Sequence, residues 1–239
     1  MGMIAVIAPA EQDGWRWRAA EKQMGMVFGV PVLEIGVTRG RRGVRAVRRI
    51  LKKQAVSAVV VRRGLPQEIL AAVQESGCCL HDGKCLLHRL YPRVMRFLCK
   101  TRGVDIQRAR FAVYADKLDD ETRQLVLDTA ADVRFLSLVT EDAAAEDFLA
   151  QVLEQTGLAL MLGDGGTSAD VALVAGKAYR PGRETINFTN ADIQGVIGDI
   201  LLKADDCQPV DLALAEAVFA EYPQVWQQYE RNVKILAFC

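Results

Sequence analysis

Cys78, Cys79, His81, Cys85 and His88 fall within eleven residues and include both histidines of the chain. Thiolate and imidazole are soft ligands that suit zinc, and Cys79, His81, Cys85 and His88 make a candidate set of four. No Cys-x-x-Cys knuckle brings them together, however, and Cys78-Cys79-Leu80 reads as a buried strand in which a thiol is a small apolar residue. The expectation is therefore no metal. A second constellation is basic. From Ile35 to Gln67 there is no acidic residue, while Arg39, Arg41, Arg42, Arg45, Arg48, Arg49, Lys52, Lys53, Arg62 and Arg63 are all cations. On a helix from Val44, positions 45, 48, 49 and 52 share one face. Arg41, Arg42 and Gly43 would lie at its N-terminus, where free N–H groups and the helix dipole favour an anion. Arg41, Arg42, Gly43 and Arg45 are thus the candidate anion site. A third candidate is the loop Gly163-Asp-Gly-Gly-Thr-Ser168. Gly163, Gly165 and Gly166 would supply a backbone nest, and Thr167 and Ser168 hydroxyl donors. The same string also serves as a tight turn, and no Lys follows it as a P-loop requires. No Ser-His-Asp, paired-carboxylate or metalloprotease pattern assigns a reaction.

The elements that must carry these residues alternate. In the first half, strands are predicted at Met3–Ala8, Val27–Val37, Ser57–Val61 and Cys78–Leu80. Pro31 argues for an edge position or a bend in the second of them. Helices are predicted at Glu11–Met24, Val44–Gln54, Pro66–Ser76 and Cys85–Lys100, the last interrupted near Pro92. Thr101–Arg108 is polar and weakly periodic and reads as a linker. Beyond it come strands at Arg110–Ala115, Val133–Val139, Leu158–Leu162, Val171–Ala175 and Thr185–Phe188. Helices are predicted at Asp119–Ala131, from Thr140 as N-cap to Gln155 with Gly157 closing it, and at Ala191–Leu202, Leu212–Glu221 and Pro223–Leu236. Thr189-Asn-Ala-Asp192 reads as the capping arrangement that opens the first of these last three.

Such alternation predicts an α/β fold of two lobes with mostly parallel sheets. The lobes are a basic N-terminal α/β domain, 1–104, and an acidic Rossmann-like domain with C-terminal helices, 105–239. The element order resembles the shikimate-dehydrogenase-like arrangement. Within that resemblance Phe111–Asp116 would be the first Rossmann strand, and Ala169-Asp-Val-Ala-Leu-Val-Ala-Gly176 the strand beneath the nicotinamide. The resemblance implies an NAD(P)-dependent dehydrogenase. The catalytic Lys and Asp motifs of that family find no matching local sequence.

The first strand-to-helix turn bears on the cofactor directly. A dinucleotide site needs glycines there, so that backbone can approach the pyrophosphate at a helix N-terminus. Tyr114-Ala-Asp-Lys-Leu-Asp-Asp-Glu121 has no glycine and carries four carboxylates. No cofactor is predicted, and NAD(P) is disfavoured unless the cofactor loop is unorthodox.

Formal net charge is zero over 239 residues, with 51% apolar and 25% charged, the composition of a folded chain. The zero hides a split. Residues 1–110 carry +13 and residues 111–239 carry −13. Opposite charges of this size predict attraction across a shared cleft, with a small anionic ligand held there, or across a homo-oligomer contact. The basic segment lacks interleaved aromatics, which disfavours nucleic acid. No apolar run reaches the ~20 residues of a membrane span. Six cysteines in no scaffold spacing, and an apolar start without a basic segment before it, predict a cytoplasmic protein.

Overall fold

The computed structural model describes residues 2–10, 20–62, 64–163, 169–176, 184–187, 192–194, 200–204 and 207–237. It is an α/β chain with mostly parallel sheets. In order, the elements begin β1 (Met3–Pro9), β2 (Ala20–Val27), β3 (Val30–Val37), α1 (Arg41–Lys53), β4 (Val56–Val61), α2 (Gln67–Gln74) and β5 (Cys79–His81). Then come α3 (Lys84–Arg102), β6 (Arg110–Ala115), α4 (Asp120–Asp132), β7 (Phe135–Val139), α5 (Ala145–Thr156), β8 (Met161–Leu162), β9 (Val171–Ala175), β10 (Glu184–Asn187) and β11 (Asp192–Gln194). The chain closes with β12 (Ile200–Lys203), β13 (Val210–Asp211), α6 (Leu212–Glu221), α7 (Pro223–Tyr229) and β14 (Lys234–Ala237). Two compact units result: Met1–Gly83 with Leu202–Lys234, and Lys84–Leu201 with Ile235–Cys239. The division falls at Gly83, ahead of α3, rather than in the polar stretch 101–108, and α6 and α7 belong to the first unit.

The first unit is built on a sheet in the order β2-β3-β1-β4-β5. All pairings are parallel except the β2–β3 hairpin. Ala5, Ile7, Leu33, Ile35 and Val59 alternate onto one face, where Val47 and Leu51 of α1 and Ile69 and Val73 of α2 bury against them. Several sequence expectations change here. Residues 11–19 lie outside the described residues, and Ala20–Met24 is strand rather than helix. Phe28 and Gly29 interrupt the expected strand Val27–Val37 with φ of 50° and 76°. A two-residue turn with both φ positive matches the twist of a hairpin. Phe28 tolerates this backbone because its ring is buried, stacked on Phe219 at 5.2 Å and set against Tyr229 at 5.5 Å. Pro31 sits in an interior strand, one residue before the β1 pairing begins at Val32, so its missing N–H breaks no ladder bond to β1. The strand read as buried, Cys78–Leu80, is the edge strand β5 with Cys79 and Leu80 exposed.

The second unit carries a sheet in the order β11-β10-β9-β6-β7-β8. Numbered along the chain, the strands read 3-2-1-4-5-6, the doubly wound order. Every pairing is parallel except β10–β11. Asp119 caps α4, its carboxylate accepting the Thr122 N–H at 2.9 Å. Gly157 ends α5 in the left-handed region, as expected. Thr140 does not cap α5. Its hydroxyl accepts from Asp142 N–H at 3.2 Å, and the helix starts only at Ala145. Of the helix expected over Ala191–Leu202, 192–194 form strand β11, where Asp192 pairs with Asn187, 200–202 belong to strand β12, and 191 and 195–199 lie outside the described residues. The last expected helix stops at Tyr229 and gives way to β14. Strands β12 to β14 form a third sheet in the order β13-β12-β14.

Candidate functional site

In an open α/β sheet, ligands settle beyond the carboxyl ends of the strands where the strand order reverses. For the second unit that point lies between β6 and β9, and the chain's own carboxylates crowd it. A Cβ built on Gly176, just past β9, would fall 2.5 Å from Asp116 Oδ1, just past β6. Asp142, from the β7–α5 connection, accepts the Leu118 N–H and the Ala144 N–H, both at 2.9 Å. The Leu118 carbonyl accepts from Arg123 Nε at 2.9 Å, and the Arg123 guanidinium lies 5.2 Å over the Phe148 ring. Both backbone groups of Leu118 are therefore used inside the protein. Backbone N–H bonds hold the Asp142 carboxyl below the ordinary carboxylate range, and hydrogen bonding from Thr122 does the same for Asp119. Donors that a pyrophosphate would claim at the start of α4 already face aspartates.

The corresponding point of the first unit lies between β1 and β4. Arg62, immediately after β4, donates its backbone N–H to Ile7 O at 2.8 Å, and its guanidinium pairs with Asp211. Asp211 is also the N-cap of α6, accepting from Leu214 N–H at 3.0 Å. One strand over, His81 Nδ1 lies 3.1 Å from Glu216 Oε1, each side chain only 10% exposed. This pair ties the middle of α6 to the edge strand β5.

The basic helix is α1. It begins at Arg41, three residues earlier than expected, so Arg41, Arg42 and Gly43 form its first turn. Arg41, Arg42, Arg45, Arg48, Arg49, Lys52 and Lys53 are exposed, and Gly43, Val47 and Leu51 are buried. The N-cap Gly40 contributes no side-chain bond, and the first turn holds no acid. Arg48 pairs with Glu75, the C-cap of α2. Among the described residues no ion pair engages Arg41, Arg42, Arg45 or Arg49. Gly43 is glycine for a packing reason, since a Cβ there would sit 2.0 Å from the Thr38 carbonyl oxygen and 2.9 Å from Val37 Cγ1. Gly163 donates its N–H to Leu138 O at 2.8 Å, and Gly165, Gly166, Thr167 and Ser168 lie outside the described residues.

The Cys/His cluster is divided. Cys78 Sγ reaches Val56 O at 3.1 Å, Cys79 is exposed on β5, and His81 is engaged by Glu216. Cys85 and His88 instead share one stripe of α3 in the second unit. Among the described residues, no three His, Cys, Asp or Glu side chains converge as metal ligands would. The α3 stripe lines a groove of about 620 Å³ between α3 and α4, with Cys85, His88, Arg89, Pro92 and Arg96 on one wall. Glu121, Gln124, Leu125, Asp128, Ala131 and Asp132 form the other. At one end Arg96 clasps both carboxylate oxygens of Asp132, at 2.9 and 3.0 Å. At the other, burial holds the His88 imidazole below its ordinary 6.5, although Glu121 and Asp119 pull it upward. Beneath the groove the Tyr91 and Thr129 hydroxyls lie 2.9 Å apart. The Leu125 carbonyl is 2.6 Å from the Thr129 oxygen and the Met95 sulfur 2.8 Å from the Tyr91 oxygen, so each proton has an acceptor. Sequence reading passed over Arg89 and Asp128, and took Glu121 only as one of the carboxylates of the β6–α4 turn. Their signal was present as a basic stripe on one predicted helix and an acidic stripe on the next.

The linear charge split dissolves on folding. The first unit holds 16 Lys and Arg against 13 Asp and Glu, the second 14 against 17. The pairs Arg62–Asp211, His81–Glu216, Arg96–Asp132 and Arg110–Asp170 each join a residue before position 111 to one after it. Each does so within a single unit.

No family model and no curated protein matches the sequence. Solved structures do match, at low identity. L-tryptophan dehydrogenase from Nostoc punctiforme shares 10% identity over 62% of this chain and 45% of its own, with a TM-score of 0.31. Shikimate 5-dehydrogenase from Listeria monocytogenes shares 13% over 73% of this chain and 68% of its own, at 0.29. Aspartate transcarbamoylase from Trypanosoma cruzi shares 13% over 78% and 69%, at 0.32. Shikimate dehydrogenases, the family whose element order the sequence resembles, are thus among the matched structures. The strand order of its own sheet defines the second unit as doubly wound. Among the described residues, no helix is long and apolar enough to cross a membrane.

Proposed function

We propose that this is a binding protein whose first unit recognises a small, multiply charged anion, such as a phosphorylated metabolite, on the N-terminal half of α1. The observation that carries the reading is the thirteen-residue helix with seven exposed cations and no acid, four of whose arginines have no ion-pair partner among the described residues. Arg41, Arg42 and Arg45 are the contacting side chains, and arginine forks suit phosphate oxygens. Gly43 contributes indirectly, by letting the helix start lie against Thr38. A dinucleotide at the β6–α4 turn would have to displace Asp116 and Asp142, which argues against the dehydrogenase alternative. The reading implies a cytoplasmic protein without NAD(P).

Titration with pyrophosphate, followed by calorimetry, tests the proposal. Saturable binding is expected, weakened at least tenfold in Arg41→Gln/Arg42→Gln/Arg45→Gln and reduced by added salt. Unchanged affinity in the triple variant would overturn it. Saturable stabilisation by NAD or NADP would favour the dehydrogenase reading instead.

A further inference from the structure

We propose that this chain associates with copies of itself, helix α5 of one copy seating in an open trough beside α1 of the next. The trough exists because the helical layer of the first unit stops short of the edge strand β2. On one face of that sheet Leu33 and Ile35 lie under α1 and α2. In the β2–β3 hairpin Lys22 pairs with Ile35, Met24 with Leu33 and Met26 with Pro31, and residues directly opposite share a face. Lys22, Met24 and Met26 therefore stand on the helix-bearing side. Ala20, on the same side, packs against that core, yet Met24 is 53% and Met26 68% exposed. They floor a recess beside α1, which stands about 10 Å above the sheet.

The wall of the recess is cationic. Arg48 reaches Glu75 at the end of α2, so the flank of α1 that carries it faces α2 and the opposite flank faces β2. Helical spacing puts Arg42, Ala46, Arg49, Ile50 and Lys53 on that opposite flank. No acid answers them. α1 contains none, and those of β2 and β3 belong to the other face. Glu21 alternates away from Lys22, and a Cβ on Gly25 would lie 3.2 Å from Glu34 Oε1. Among the described residues no ion pair engages Lys22, Arg42, Arg49 or Lys53.

The complement is a helix of the second unit. α5 carries Glu146, Asp147 and Glu154 and no base. Among the described residues no ion pair engages these acids. Phe148 and Val152 turn inward, which leaves Leu153 49% exposed, with Leu149 half-buried one turn before it. Leu149 and Leu153 are about 6 Å apart along the helix, and Met24 and Met26 about 7 Å apart along the strand, so one apolar pair can seat on the other. Asp147 and Glu154 are separated by seven residues, as are Arg42 and Arg49, so acids and cations fall into step. Trough against trough would set cations against cations. A membrane surface takes apolar groups that protrude, whereas Met24 and Met26 are recessed beside α1. An acidic helix with an apolar strip fits as helices fit grooves. The two surfaces differ, so two copies exchange α5 reciprocally or the contact repeats from copy to copy. The contact does not rest on the anion reading of α1. Arg42 is common to both, and the variants below leave it in place.

The experiment is sedimentation equilibrium of the full chain, without added phosphate. A mass above the monomer's is expected, rising with protein concentration and falling with salt. Arg49→Glu/Lys53→Glu in the wall, Asp147→Lys/Glu154→Lys in the helix, and Leu153→Ser should each weaken association at least tenfold. All five side chains are exposed, so circular dichroism should be unchanged. The two charge-reversed proteins should associate once mixed, because the acidic wall of one then meets the basic helix of the other. A monomer at every concentration, unchanged association in either reversed protein, or a mixture no heavier than its components would each overturn the proposal. So would a chain that stays monomeric and binds phosphatidylserine vesicles, which would assign the trough to a membrane surface.

Discussion

Replacing Gly43 by alanine sets two effects of opposite sign against each other. In an exposed helix the change is favourable, because alanine is ~1 kcal/mol better than glycine in a helix interior. At this position the added methyl would lie 2.0 Å from the Thr38 carbonyl oxygen, where ordinary contact begins near 3.4 Å. The clashing atom is backbone, so no rotamer change relieves it, and the first turn of α1 must move by more than an ångström. That movement lifts Val47 and Leu51 off the β-sheet core, and overpacking of this kind typically costs ~1–3 kcal/mol, occasionally more. Because the obstacle is backbone, the clash should cost about 2–3 kcal/mol and, less the gain in helix propensity, leave a net loss of about 1–2 kcal/mol. For a chain of this length the melting temperature would fall by roughly 2–8 °C. Urea unfolding should show a lower midpoint with an unchanged slope. Arg45→Ala, on the exposed face of the same helix, should stay within ~0.5 kcal/mol of the parent. The displaced helix start should also bind pyrophosphate more weakly. A Gly43→Ala protein as stable as the parent, or more so, would refute the argument that Thr38 dictates glycine here.

Three further outcomes follow from the second unit. Thr129→Val removes the hydroxyl beside the buried Tyr91 oxygen and should cost ~1–3 kcal/mol, whereas Tyr91→Phe leaves Thr129 on the Leu125 carbonyl and should cost ~1 kcal/mol; urea midpoints give the order. His88 titrates below 6.5 when folded, so the unfolded chain binds the extra proton first and stability falls as pH drops through 6.5. His88→Gln should flatten that part of a stability–pH curve. Asp142 has a depressed pKa, so its contribution is complete above the unfolded value near 3.8 and is lost as pH falls through the folded value. The stability gap between the parent and Asp142→Asn should therefore be full at neutral pH and close in strong acid.

Elements whose signals were local were legible in the sequence. The parallel strands β1, β4, β6, β7 and β9 stood out as short apolar runs, and the basic face of α1 as cations at helical spacing. Where local preference met a pairing partner, the partner prevailed. Ala20-Glu-Lys-Gln-Met24 is made of strong helix formers, yet the hairpin with β3 holds it as strand. Asp192 followed a capping pattern and is paired with Asn187 instead. The assignment of α6 to the first unit rests on contacts such as Phe28–Phe219 and His81–Glu216, more than 130 residues apart in sequence, which no window reveals. Of the candidate sites, the basic helix was legible because charge is a local property. The groove was not, because it exists only where two helices lie side by side.

The discontinuity of the first unit has a consequence for how the chain matures. Its sheet emerges first, but Phe28, His81, Arg62 and the backbone of Gly2 are completed by Phe219, Glu216, Asp211 and Glu221. During synthesis all of 84–201 must intervene before these partners exist. At ~5–20 residues per second that interval is roughly 6–24 s. Through it the nascent first unit keeps His81 and Arg62 without their carboxylate partners and an open aromatic seat at Phe28. The second unit is almost contiguous, so 84–201 is complete in the chain before the last partners of the first unit have been made.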